Sequence, residues 1–251
     1  MSPTAPSKVL FILGGGPRIG HAVAKRFLQD GYRIAVGRRN PGDGNDTAEA
    51  EAQGVFLVSV DVASRQSVKA AFHAVKSQLG VPNVVVYNAA DLTFPSHMDD
   101  PFAISPAEFE HNLAVNATGA YSALHHASRG FLHLKKAFGD SDDVHCVFIA
   151  TGDVSPFHPD AAATTLGPGK AALAYLIQVG MKAYEQAGIR FYFASQVTAE
   201  GKVVPESEVS AVAHGEVYVN LVNRDLVRDV WHVKFSANKE GTKVKVEWES
   251  E

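Results

Sequence analysis

Val9-Leu10-Phe11-Ile12-Leu13-Gly14-Gly15-Gly16-Pro17-Arg18-Ile19-Gly20 is the stretch that decides the fold. Five consecutive apolar residues read as a strand buried on both faces, the pattern of a parallel sheet covered on both sides. A glycine run follows. Ile19, Val23, Phe27 and Leu28 then fall on one face of a helix that Gly31 stops. Glycines between a first strand and a first helix let the backbone turn tightly and approach a pyrophosphate. The free N–H groups and dipole of the helix N-terminus favour that anion. An ordinary strand-to-helix turn needs one or two glycines, not the four between Gly14 and Gly20.

Outward from this stretch the same alternation repeats. Ile34 to Val36, Val55 to Val60, Val84 to Tyr87, Val144 to Ile149 and Phe191 to Phe193 are short, largely apolar runs that read as strands. Between them lie amphipathic patterns. Ser64 opens one, with Val68, Phe72, Val75 and Leu79 apolar. Ser105-Pro106-Ala107-Glu108 is a capping box that opens a long helix through Asn116 towards Arg129. Another runs from about Pro168 to Ala187 and ends at Gly188. The alternation predicts an α/β, Rossmann-like, doubly wound parallel sheet in three layers, as a single domain over residues 1–251. Residues 1–7 are expected as a flexible N-terminus. In the tail, Glu206 to about Arg224 reads as a helix. Trp231 to Phe235 and Val244 to Trp248 alternate like strands, so residues 225–251 are expected to add an atypical strand or hairpin at the sheet edge. Asn40 to Asp46 has loose loop composition.

Composition bounds the possibilities. The chain has 251 residues, 46% hydrophobic and 20% charged, which is ordinary for a globular protein. Its one cysteine, Cys146, excludes a disulfide framework. A net charge of −4 argues against nucleic acid as partner. The apolar runs are too short to cross a membrane. Met1 to Lys8 is polar and lacks the apolar core of a signal peptide, so a cytoplasmic protein acting on a small molecule is expected.

The spacing of the glycine loop resembles that of the short-chain dehydrogenase/reductase family, Gly-x-x-x-Gly-x-Gly. Gly14 and Gly20 match the first and last glycines, and Arg18 stands at the middle one. Asp61-Val62 after the third strand resembles the pair that contacts adenine. Asn88-Ala89-Ala90 after the fourth resembles the Asn-Ala-Gly element. Asn116 resembles the active-site asparagine, and Lys170 fits the family's lysine. The resemblance covers about residues 8 to 195. It implies a nicotinamide cofactor touching Gly14, Gly16, Arg18, Ile19, Gly20, Asp61, Val62, Asn88, Ala89, Ala90 and Lys170. It also implies a homodimer or homotetramer. The second strand ends Val36-Gly37-Arg38-Arg39-Asn40, with no acid to hold a ribose 2′-hydroxyl. Arg38 and Arg39, with Arg18 in the glycine loop, instead point to NADP(H) and its 2′-phosphate.

The family's catalytic set departs here. Its Tyr-x-x-x-Lys reads Leu166-Gly167-Pro168-Gly169-Lys170, so leucine stands in the tyrosine's register. By spacing from Leu166, Asp153 falls at the serine; a shift of one residue gives Gly152. Candidate catalytic residues are therefore Asn116, Asp153, Lys170 and, as an alternative proton donor in the same loop, His158. Two readings follow. One is a reductase of imines, iminium ions or other activated molecules. The other is an inactive NADP(H)-binding sensor or scaffold. No histidine pair has a metal-binding motif, and no metal is expected.

Overall fold

The computed structural model describes residues 7–42, 50, 52–139, 144–223 and 230–248. The loop Asn40 to Asp46 falls partly outside them, as do most of the N-terminal seven residues. Eight strands form one sheet in the order β3-β2-β1-β4-β5-β6-β7-β8. They are β1 (Val9–Leu13), β2 (Arg33–Arg38), β3 (Val55–Ser59), β4 (Val84–Tyr87), β5 (Cys146–Gly152), β6 (Ile189–Gln196), β7 (His232–Ala237) and β8 (Val244–Trp248). The first seven run parallel, and β8 returns antiparallel along β7. The expected edge hairpin is therefore present.

The core divides into the two faces of the sheet. Phe11, Val85, Phe148 and Phe193 alternate towards one side, where α2 (Arg65–Leu79), α4 (Ala120–Phe138) and α5 (Gly167–Tyr184) pack. Leu10, Ile12, Val86, Ile149 and Tyr192 face the other, under α1 (Ile19–Gln29) and α6 (Ala211–Asn223). Burial on both faces is why these strands read as continuous apolar runs.

Two helices differ from their expected form. The long helix is interrupted. α3 (Pro106–Leu113) passes through a π-helical turn, Ala114–Gly119, before α4 begins. The buried Tyr87 hydroxyl reaches in and donates to the Val115 carbonyl at 2.6 Å, satisfying an acceptor within the wide turn. The tail helix starts late: Glu206–Glu208 is a separate 3₁₀ turn, and α6 begins at Ala211. Ser210 supplies that start, its hydroxyl accepting from the Ala213 N–H at 3.2 Å. Arg224, the expected helix end, lies outside the described residues.

Candidate active site

Strand order turns back between β1 and β4, and in open α/β sheets ligands bind at that switch point, beyond the carboxyl ends of the strands. The glycine loop sits on one side of it. Gly14 and Gly15 both donate to the Gly37 carbonyl, at 3.0 and 2.9 Å, which pins the loop to the end of β2. Gly14 has φ +93° and lies against the backbone of Asn88 and Ala89, where a Cβ would fall 2.3 Å from the Ala89 nitrogen. By contrast, a Cβ on Gly16 would meet nothing within 4 Å. The loop is closed on its inner side and open at Gly16, the shape of a cradle for a ligand that needs the bare backbone. Ile19 and Gly20 begin α1 directly behind it.

On the other side, Asn88 and Ala89 both donate to the Leu13 carbonyl, at 2.8 and 3.0 Å. The Asn88 side chain joins a chain of hydrogen bonds that sequence reasoning missed. The Tyr218 hydroxyl of α6 donates to Thr151 Oγ1 at 2.8 Å. Thr151 donates to Asn88 Oδ1 at 2.9 Å, and Asn88 Nδ2 donates to the Gly14 carbonyl at 2.8 Å. The glycine loop, β4, β5 and the tail helix are thereby held in one register. Tyr218 is fully buried, and burial raises its phenol well above the usual tyrosine value. In sequence Thr151 reads only as an off-register hydroxyl. Nothing in the local pattern around Tyr218 marks its partner, which lies in a distant strand.

Lys170, in the first turn of α5, is 4% exposed. Its ammonium donates to the Thr151 carbonyl at 2.7 Å. Burial lowers its pKa from the ordinary lysine value, and the negative charge of Asp153 pulls the other way. Asp153 follows β5, and its Oδ1 accepts from the Ser155 N–H at 2.8 Å and from the Ser155 hydroxyl. Leu166 caps α5 without a side-chain hydrogen bond and is half-buried. His158 is exposed, and among the described residues no hydrogen bond or ion pair ties its ring to Asp153 or Lys170.

Asn116 lies in the π-helical turn and is 1% exposed. Its amide is committed to the backbone of Asp91, donating to the carbonyl at 2.6 Å and accepting from the N–H at 2.9 Å. Asn112, one turn earlier, holds the Asp91 carboxylate at 2.7 Å and the Thr93 N–H at 3.0 Å. The segment after β4 is stitched to α3 by Asn112 and to the π-helical turn by Asn116. Asp61 is exposed at the end of β3 and closes a turn by accepting from the Ala63 N–H at 3.0 Å; Val62 beside it is buried. Ala90 is exposed at the cleft.

The three arginines separate. Arg38 is half-buried and donates to the Pro41 carbonyl, while its Nε is buried with no partner among the described residues. It lines a cavity of about 620 Å³ together with Gly15 and Gly16. Arg39 is exposed. Arg18 does not join them. Its guanidinium crosses to the segment after β6, where it donates to the Glu206 carboxylate at 2.8 Å and the Glu206 carbonyl at 2.6 Å. In this arrangement Arg18 is paired with an acid on a segment remote in sequence.

Comparisons agree with the fold and the loop. A family model described as short chain dehydrogenase matches residues 8–196. The short chain dehydrogenase/reductase dmxR12 of Cryptosporiopsis sp. (strain 8999) is 30% identical over 236 residues, covering 90% of each chain. Among solved structures, a metagenomic short-chain oxidoreductase in complex with NADP superposes with a TM-score of 0.73 at 18% identity, covering 93% of this chain and 99% of that one. A 3-ketoacyl-(acyl-carrier-protein) reductase from Brucella melitensis, complexed with NADH, gives 0.73 at 17% identity, over 96% and 100%. With the family model spanning the glycine loop, Asn116 and Lys170 alike, this chain belongs to the short-chain dehydrogenase/reductase family, whose members bind nicotinamide cofactors.

Proposed function

We propose that this chain is an NADP(H)-dependent reductase whose substrate already carries positive charge at the bond to be reduced, a protonated imine or an iminium ion. The observation that carries the reading is Asp153, a carboxylate just after β5 whose Oδ1 is held by Ser155, in the stretch where the family sets a serine. Leu166, in the tyrosine's register, can neither give nor take a proton. Reduction of a ketone must protonate a developing alkoxide, and the acid that does so is worth typically about 10²–10⁴-fold. A cationic C=N bond needs no such acid. Hydride adds to its carbon, the π pair moves onto nitrogen, and a neutral amine results.

Bound dinucleotide supplies that hydride. The chain's own residues provide the rest. Asp153, with Oδ1 already fixed by Ser155, stabilises the substrate cation with little reorganisation. Lys170, its ammonium anchored on the Thr151 carbonyl, would hold the nicotinamide ribose. Asn116 braces the backbone after β4. Gly16 would leave room for the pyrophosphate, and Arg38, whose buried Nε has no partner among the described residues, supports NADP(H) over NAD(H). Arg39 lies next to it in sequence.

Asp153→Asn keeps the shape and removes the charge. Two unit charges about 4 Å apart interact by about 4 kcal/mol at an effective dielectric near 20. The variant is therefore expected to retain NADPH affinity while its imine turnover falls at least roughly tenfold, about 1.4 kcal/mol of barrier. Simple ketones are expected to turn over very slowly in both proteins. Imine reduction by Asp153→Asn as fast as by the parent removes the carboxylate from the mechanism. If the parent reduces no imine, enone or ketone, the sensor or scaffold reading replaces this one.

A further inference from the structure

The loops that follow β4, β5 and β6 leave the carboxyl ends of the strands, and two properties mark this side of the cleft. The first is charge. Residues 88–105 hold three carboxylates, 153–166 two and 197–210 three, while Lys202 is the only lysine or arginine in all of them. Only Glu206, paired with Arg18 at 2.8 Å, and Asp91, 3.3 Å from His111, have a basic side chain against them among the described ion pairs. These loops are together more negative than the whole chain, whose net charge is −4.

The second property is an apolar cavity of about 810 Å³ between residues 101–109 and 155–171. Its volume is that of a small-molecule site. Phe102, Ile104 and Phe109 form one wall and Pro156, Pro159 and Pro168 the other. Prolines have little rotamer freedom to lose, so this wall is preformed. The inner end meets the candidate centre on both sides. Ser155, which holds the Asp153 carboxylate, lines the cavity, and so does Gly167, next to Leu166. Of its lining residues Phe102 remains 87% exposed, although most large apolar side chains of the protein are buried.

We propose that this cavity takes the ring-bearing, apolar body of the substrate, and that the acidic loops admit it only as a neutral or cationic molecule. A carboxylate or phosphate handle, or delivery on an acidic carrier, is selected against. This deepens the reductase reading and rests on it for the chemistry at Asp153; the binding preference itself needs no turnover. Apolar walls reward ring burial in proportion to area, and the surrounding carboxylates repel an anion through a low-dielectric mouth.

Three bicyclic probes of similar size test the charge rule: 2-naphthol, N-methylisoquinolinium and 2-naphthoate. Calorimetry on the full chain, with and without saturating NADPH, is expected to rank the cation and the neutral probe at least tenfold above the carboxylate. Added salt is expected to narrow the gap between the two charged probes. Ala171→Trp, at an exposed helix position lining the cavity, fills it and is expected to weaken 2-naphthol roughly tenfold. Phe102→Ala, at an exposed rim, provides a second variant that leaves the core untouched. Binding of 2-naphthoate as tightly as 2-naphthol overturns the charge rule. Binding of 2-naphthol unchanged in both variants overturns the site. Probes that bind in the expected order to a protein that reduces no imine support this site and overturn the reductase reading alone.

Discussion

Arg38 and Arg18 look alike in sequence, two cations close to a glycine loop, and the fold gives them different work. Arg38 keeps a buried Nε without a partner among the described residues, beside Gly15 and Gly16. Arg18 spends its fork on Glu206, an exposed pair of the kind that contributes about 0–1 kcal/mol. Arg38→Ala is therefore expected to weaken NADPH roughly tenfold or more, the worth of about 1.5–3 kcal/mol for a hydrogen bond to a charged group, and to leave NADH nearly unchanged. Parallel fluorescence titrations check this, and equal losses for both dinucleotides would sink the 2′-phosphate assignment. The residues legible in sequence are those whose neighbours are local: Gly14 in its turn, Asn88 after its strand, Lys170 at its helix start. The Glu206 partner of Arg18 is not legible because it lies 188 residues away, and Tyr218 escapes notice because it acts through Thr151, 67 residues away.

Helices are legible where capping chemistry sits in the sequence. Ser105 and Glu108 form the reciprocal capping box that their spacing announces, and Ser64 accepts from the Ser67 N–H as a cap should. The π-helical turn carries no such local mark. It depends on Tyr87 arriving from β4 and on Gly119, where a Cβ would fall 2.3 Å from the Val62 carbonyl. The same turn meets α5 through another close approach: a Cβ on Gly169 would lie 2.4 Å from Asn116 Cβ. Gly169 thus sets how near α5, and Lys170 with it, sits to the π-helical turn. Gly169→Ala favours the helix by propensity yet overpacks this contact, which typically costs about 1–3 kcal/mol. Urea denaturation is expected to show that loss, and NADPH titration a weaker complex as Lys170 is pushed off Thr151. A variant as stable as the parent, with unchanged NADPH binding, would mean that the two elements do not touch closely enough to matter.

Across the whole molecule, alternation of strand and helix with right-handed crossovers leaves few topologies, and the sheet order follows from them. The tail is legible as strands because Trp231 to Phe235 and Val244 to Trp248 each keep their own pattern; that β7 continues the parallel sheet requires the path of α6. That helix closes one face of the core and brings a histidine into it. His214 is 2% exposed, with Nδ1 2.7 Å from the Ser210 carbonyl and its ring edge-on to Phe235 at 4.9 Å. Burial lowers its pKa from 6.5 to about 4; the Ser210 carbonyl pulls it up and the Arg18 charge pushes it further down. In the unfolded chain the ring protonates near 6.5, so between about 4 and 6.5 the unfolded state holds a proton that the folded state does not. Stability is then complete above 6.5 and drains away as pH falls towards 4, by about 3 kcal/mol in all from the pKa difference. His214→Asn keeps a donor for Ser210 and removes the titration. It is expected to be less stable than the parent at about pH 7.5, from lost packing, but to lose about 2–3 kcal/mol less on acidification to about pH 4.5. Urea midpoints measured at both pH values give the comparison. Parallel losses in parent and variant would show that acid unfolding is driven elsewhere and that His214 is not the group that opens this face of the core.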